Sequence, residues 1–399
     1  MDRSLSPRAF LLAVALLLAA VLPVGCGREL PASATTTTTT TTTSTSATTT
    51  TSTTINTTPV TVPITGGGSF SYQNIASTGQ NGNIYSSIAV DKTDGNKAHI
   101  SYYQKDTEDL KYAAGGLSAW TFETVDSDAD RGLYSSIAVD SGHQAHISYY
   151  ATTAGLAYAY GGSGSWVTAV IDNPTGIDVG YYTSIGVDSF GKVHISYYDW
   201  NNQALKYATN KSGGWVISIL DSSSATGLYT SLAVDGGDNI HLSYYDAANK
   251  ALKYVRISSS GSKSFETVDS VEDVGQYSAL TVDSGNVPHI CYYNATTHTL
   301  KYAKKNGVWS VETIDGTADN GQFCSIAVDG NRKAHVSYYD ATNSALIYAT
   351  NRSGAWLRSP IDSTGSVGQD TDIAIGSDNK PHISYWDATN NTVKYAVEN

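Results

Sequence analysis

One histidine returns along this chain at an almost constant interval. Its copies are His99, His146, His194, His241, His289, His335 and His382, and the steps between them are 47, 48, 47, 48, 46 and 47 residues. A longer unit aligns around each copy: Gly-x-Tyr-Ser-Ser-Ile-Ala-Val-Asp, a turn containing Gly, His-Ile-Ser-Tyr-Tyr-Asp, a polar turn, Leu-Lys-Tyr-Ala, a Gly-rich turn, then Trp-x-x-x-x-Ile-Asp. Such repetition restricts the fold more than composition can, because a unit this short must bury its apolar surface against its neighbours. Each unit holds four short runs rich in Val, Ile, Tyr and Trp, set apart by Gly, Asn, Asp and Ser. That pattern predicts a four-stranded antiparallel meander, and no window of the repeats sustains a helical period.

The two ends of the repeat array decide how the units are arranged. The last copy stops at Val393-Lys394-Tyr395-Ala396 and lacks its Trp-led fourth strand. The missing piece sits before the first copy, where Phe70-Ser71-Tyr72-Gln73-Asn74-Ile75 aligns with Trp309-Ser310-Val311-Glu312-Thr313-Ile314. A linear stack would have no use for a unit divided this way, whereas a ring closes with it and loses its exposed sheet edges. The chain therefore resembles β-propellers in general, and the expected fold is all-β: a seven-bladed propeller over 69–399. Its blades fall at about 85–126, 134–172, 182–221, 229–269, 277–315, 323–362 and 370–396 plus 69–76. In each blade the strand nearest the axis is expected to carry the small Ser and Ala side chains, with Tyr and Trp filling the wider outer wedge. In the second strand, Ile147 and Tyr149 should face one way and His146, Ser148 and Tyr150 the other.

Upstream of the repeats the chain changes character. Arg3 and Arg8 precede an apolar run over 11–22, too short for a comfortable membrane span and suited to a secretory signal. The following Leu22-Pro23-Val24-Gly25-Cys26 resembles the lipobox of bacterial lipoproteins, with Pro23 where Leu is usual. That resemblance implies acylation of Cys26 and a signal peptide over 1–26. Residues 27–68, almost wholly Thr and Ser between Ala34 and Thr58, lack the apolar content to fold and read as a solvated stalk. About forty such residues span roughly 140 Å when extended and roughly 35 Å as a relaxed coil. Export and a lipid anchor at the cell envelope are the expectation, with secretion if the lipobox is unused and no other contact with membrane.

A net charge of −12 and a pI near 5.1 argue against nucleic acid as a partner. Of three cysteines, Cys291 and Cys324 lie in the repeats, where most sister copies carry Ser or Thr; this is no disulfide scaffold, although one bridge between them stays open. Equivalent histidines on seven blades would form a wide circle, so they read as structural residues with no metal role. The Asp ending Ala-Val-Asp (Asp140 and Asp188, for example) precedes a tight turn whose N–H groups it can accept. The pattern resembles the Asp-box of sialidase-type propellers only faintly, without its spacing and trailing Trp. No catalytic residue is carried across and no cofactor is expected.

Candidate ligand-binding residues come from the inner strand and the loops beside it. If the Gly-x-Tyr strand is innermost, Tyr85, Tyr134, Tyr182, Tyr229, Tyr277 and Phe323 ring the mouth of the central channel, with Asp370 breaking the series. Acidic loops lie beside them at Asp130, Asp178, Glu272, Asp273 and Asp319. The seventh copy also departs from the pattern at Asp372 and Trp386. Aromatic faces among carboxylates suit sugar rings or cationic groups. Near-identical copies favour repeated weak sites whose avidity grows by multivalency. By likeness to propeller lectins in general, the leading expectation is a monomeric, surface-tethered binding protein for glycans. A protein-interaction scaffold is the alternative. Third comes a polysaccharide-acting hydrolase or lyase, which would need two carboxylates about 5–10 Å apart and a pocket that breaks the symmetry.

Overall fold

The computed structural model describes residues 58–399, except 80, 81, 83, 224 and 318. The signal segment, Cys26 and most of the stalk lie outside the described residues. Seven antiparallel sheets follow one another, at 87–126, 131–172, 179–221, 226–269, 274–315, 320–362 and 367–398. In the third blade, for example, the strands are Val179–Val187, Val193–Asp199, Ala204–Thr209 and Val216–Asp221, paired in chain order. The first strand of each blade contacts the first strands of its two neighbours, so it is innermost, as the split unit implied.

Closure occurs where the two described ends meet. Ser69–Ser77 pairs antiparallel with Thr392–Glu398, with Tyr72 opposite Ala396 and Phe70 opposite Glu398. The seventh blade is thereby completed by the N-terminal strand. It also gains a fifth strand, Val60–Pro63, which pairs with Ser69–Ser77 outside the repeat plan. The pattern had put 60–63 in the stalk; Val60 and Val62 instead alternate along a strand across a tight Gly66-Gly67-Gly68 turn, where all three glycines have positive φ.

The apolar core lies between neighbouring sheets. Ile147 and Tyr149 of the second blade pack with Leu110 and Tyr112 of the first, while Ser148 and Tyr150 bond to the third. The expected division of the second strand between its two neighbours therefore holds. Tyr149 donates to Asp126 of the preceding blade at 2.5 Å, and the same inter-blade bond recurs at Tyr197–Asp172, Tyr244–Asp221, Tyr292–Asp269 and Tyr338–Asp315. With Tyr385–Asp362, six of the seven blades are hydrogen-bonded in this way as well as packed to the one before.

The histidine phrase is part of this framework. In all seven blades His Nδ1 lies 2.5–2.7 Å from the hydroxyl of the third-strand Tyr, as in His241–Tyr254. In the fourth blade His241 Nε2 lies 3.1 Å from Asp235 Oδ2, while Asp235 Oδ1 accepts the turn N–H groups of Gly237 and Asn239. A carboxylate only accepts, so Nε2 carries the proton and Nδ1 accepts a hydrogen bond from the Tyr hydroxyl. Burial pulls the ring's pKa below the ordinary range at His194 and His241, and to about 4 at His289 and His335. These rings are therefore neutral near pH 7.

Candidate functional site

The Gly-x-Tyr motif builds the channel mouth through a β-bulge. In the second blade Leu133 pairs with Tyr150 and Ser136 with Ser148, so Tyr134 and Ser135 together oppose Tyr149 alone. The extra residue puts Tyr134 in the left-handed region at φ 53° and aims it along a new direction. Gly132 precedes it because a Cβ there would lie 2.9 Å from the backbone of Leu110 in the neighbouring blade. The same conformation recurs around the ring, at Tyr85, Tyr182, Tyr229, Tyr277, Phe323 and Asp370, with φ between 47° and 53°. A left-handed non-glycine residue costs roughly 1–2 kcal/mol. Seven such positions mean that the surrounding structure enforces this geometry on each blade.

These residues meet at the axis. Tyr85, Tyr134, Tyr182, Tyr229, Tyr277 and Phe323 form a continuous arc with successive ring centroids 4.5–4.9 Å apart. Neighbouring planes are turned by 42–53°, close to the one-seventh of a turn that the symmetry requires. Below the arc, Ser, Thr and Cys side chains line a cavity of about 230 Å³. That is under the roughly 300–1,000 Å³ of small-molecule pockets. A ligand of several rings would therefore lie across the mouth.

Asp370 and Asp372 close the arc and the seam together. Asp370 Oδ2 accepts the N–H groups of Ile84 and Tyr85, at 3.1 and 3.2 Å. Asp372 Oδ2 accepts Ser87 Oγ and Ile88 N, each at 2.8 Å, and its Oδ1 accepts Ser325 Oγ at 2.6 Å. At ordinary blade junctions a serine hydroxyl does the same work: Ser184 accepts Leu232 N and Ser231 accepts Leu280 N. Asp370 and Asp372 are both partly exposed and line the channel. Burial pushes Asp370 up to about 6 despite its two N–H donors, and raises Asp372 as well. With Oδ2 of Asp370 and Oδ2 of Asp372 bonded across the seam, this pair joins the last blade to the first.

Trp386, whose backbone pairs with Gln369 beside Asp370, turns its ring into the core. It is 6% exposed and packs with Ile75, Ile84, Ile88 and Val393 in the core beside the closing strand. The loop acids, by contrast, sit next to the mouth and are held by the second Tyr of the His-Ile-Ser-Tyr-Tyr phrase. Tyr103 donates to Asp130, Tyr150 to Asp178, Tyr245 to Asp273 and Tyr293 to Asp319, each at 2.7 Å. The rings of Tyr150, Tyr245 and Tyr293 lie 6.1–6.5 Å from Tyr134, Tyr229 and Tyr277. A unit of channel ring, second ring and carboxylate is thus repeated about the face.

One junction carries more than this unit. Tyr181 stacks on Tyr150 at 4.5 Å and lies 5.4 Å from Trp200, and both Tyr150 and Tyr181 donate to Asp178. Trp200 and Tyr181 are partly exposed. Sequence reasoning passed over both residues. Their signal was a departure from the repeat: Ile, Leu or Gln stands at the position of Tyr181 in the other blades, and Ala replaces Trp200 in four of them. Among the described residues, no group of His, Cys, Asp and Glu is arranged to hold a metal ion.

No family model and no curated relative matches the chain. Solved structures match its fold at low identity. A triple arginine-to-alanine mutant of AofleA from Arthrobotrys oligospora aligns with a TM-score of 0.54 and 13% identity, covering 74% of this chain and 91% of that one. A protein of unknown function from Dyadobacter fermentans gives 0.52 and 8% identity, covering 86% and 99%. The polysaccharide lyase Uly1 gives 0.52 and 10%, covering 82% and 91%. At such identities the likeness extends to the propeller fold alone.

Proposed function

We propose that the chain is a carbohydrate-binding propeller that engages glycans across the face bearing the channel mouth. What supports this most is the repeated juxtaposition on that face of aromatic rings with a fixed carboxylate, extended at one junction by the partly exposed Tyr181 and Trp200. Apolar sugar faces stack on such rings while hydroxyls donate to carboxylates, and several weak copies add through multivalency. An N-terminal lipid anchor at Cys26 and a Thr-rich stalk would present that face at a cell surface. The test is a glycan array probed with the purified chain and with a Tyr181→Ala/Trp200→Ala variant. Specific binding, weakened at least tenfold in the variant with its circular dichroism unchanged, supports the reading. A folded chain that binds no glycan overturns it.

A second reading, a protein-docking scaffold, is favoured by a different observation. Large apolar side chains are exposed on the outer strands of four successive blades, among them Val167 at 50%, Ile219 at 55%, Phe265 at 46% and Val308 at 78%. Loss of a captured partner in a Val167→Glu/Ile219→Glu/Val308→Glu variant that keeps glycan binding would assign that rim to protein.

A further inference from the structure

At five blade junctions a hydroxyl on the second strand of one blade meets a hydroxyl on the inner strand of the next. The pairs are Ser101–Ser135, Ser148–Thr183, Ser196–Thr230, Ser243–Ser278 and Ser337–Thr371, with oxygens 2.8–3.1 Å apart and buried. At the junction between the fifth and sixth blades cysteines occupy both of the equivalent positions, as Cys291 and Cys324. The two thiols are buried in one cluster and in mutual contact. No other cysteine lies in the repeats, so two of the chain's three cysteines occupy the two halves of one contact.

We propose that Cys291 and Cys324 are a disulfide site that locks the fifth blade to the sixth. The sister pairs bring their hydroxyl oxygens to 2.8–3.1 Å, and two sulfurs at the same positions, on C–S bonds longer than C–O, need only a small approach to reach the S–S distance of about 2.05 Å. The oxidant is a disulfide of low molecular weight or of a protein partner. One Cys thiolate displaces a thiolate from it to form a mixed disulfide, and the second Cys thiolate attacks the protein sulfur to release the other. Two protein thiols and one donor disulfide become one protein disulfide and two donor thiols, and the two protons pass to the released thiolates. Cys324 gives up its donation to Tyr277 O at 3.2 Å in return. Burial, together with the neighbouring Cys291 sulfur, pushes the Cys324 thiol well up, so the folded protein holds little thiolate. The bond therefore forms as the chain folds, before the two blades pack.

The experiment refolds the denatured full chain in a glutathione redox buffer at oxidising poise, alkylates remaining thiols and digests with trypsin. The expected product is residues 264–301 joined to 306–332 through Cys291 and Cys324, in material with native circular dichroism. The thermal midpoint should fall by a few degrees on reduction. A Cys291→Ser/Cys324→Ser variant, which restores the hydroxyl pair of the other junctions, should fold, match the reduced protein and ignore reductant. Refolded native protein with both cysteines alkylated overturns the proposal. So does a cross-link confined to material without native structure.

Discussion

Asp370 is the residue at which the seven-fold pattern gives way to chain closure. Its carboxylate replaces an aromatic ring and accepts two N–H groups from the segment that begins the first blade. Burial raises its pKa to about 6, above the unfolded value near 3.9. Between those values the unfolded chain releases the proton while the folded one keeps it. Stability from this group is therefore full below about pH 4 and lost as pH rises through about 6. Asp370→Asn keeps an oxygen for both N–H groups and removes the ionisation. Relative to the parent it should gain stability between pH 4 and 6 and hold that gain at pH 7, as read by urea denaturation across that range. A constant difference at every pH would count against the assignment. The histidine network gives a second residue-scale prediction. Tyr254→Phe leaves His241 Nδ1 buried without a donor, and should cost about 1–3 kcal/mol in the same assay.

Among the elements, the inner strand and the closing strand carry the most structural information. Gly227, at φ 110°, has the neighbouring blade's Leu205 Cα 2.7 Å from where its Cβ would be. Gly227→Ala should therefore destabilise by ~2 kcal/mol or more, measured by chemical denaturation. The closing strand was legible before the structure, because Phe70–Ile75 matches the outer strand missing from the last repeat. Val60–Pro63 was not, since no sister copy contains a fifth strand and a Thr-rich segment adjoins it. Removing residues 1–77 should expose the edge of Thr392–Glu398 and produce aggregate, absent from the parent chain, on size-exclusion chromatography. A truncated chain that stayed folded and eluted without aggregate would mean that the ring is held closed without it. The aromatic series from Tyr85 to Phe323 was also readable from Gly-x-Tyr. That the rings pack on one another was not, because their spacing depends on the radius at which seven inner strands meet. Tyr181 and Trp200 stood in plain view as exceptions to the repeat. Their convergence on Asp178 needed the pairing of two neighbouring blades.

For the whole molecule, repetition accounts for both the stability and the proposed mode of binding. Most junctions reuse one set of contacts: the Tyr–Asp bond across blades at six and the hydroxyl pair near the axis at five, while the His–Tyr pair recurs within all seven blades. The same reuse brings several ring-and-carboxylate units onto one face, as a tethered glycan binder with weak repeated sites would need. The channel, at about 230 Å³, is below the usual size of a small-molecule pocket, so recognition of a larger glycan is proposed for the surface around its mouth. Calorimetric titration of the purified chain with a glycan selected on the array measures this most directly. The expected result is saturable heat with more than one glycan per chain, lost stepwise when Tyr181 and Trp200 and then Tyr134, Tyr229 and Tyr277 are replaced by Ala. Absence of heat with a folded chain, or binding that survives all five replacements, would contradict a glycan site at the channel mouth.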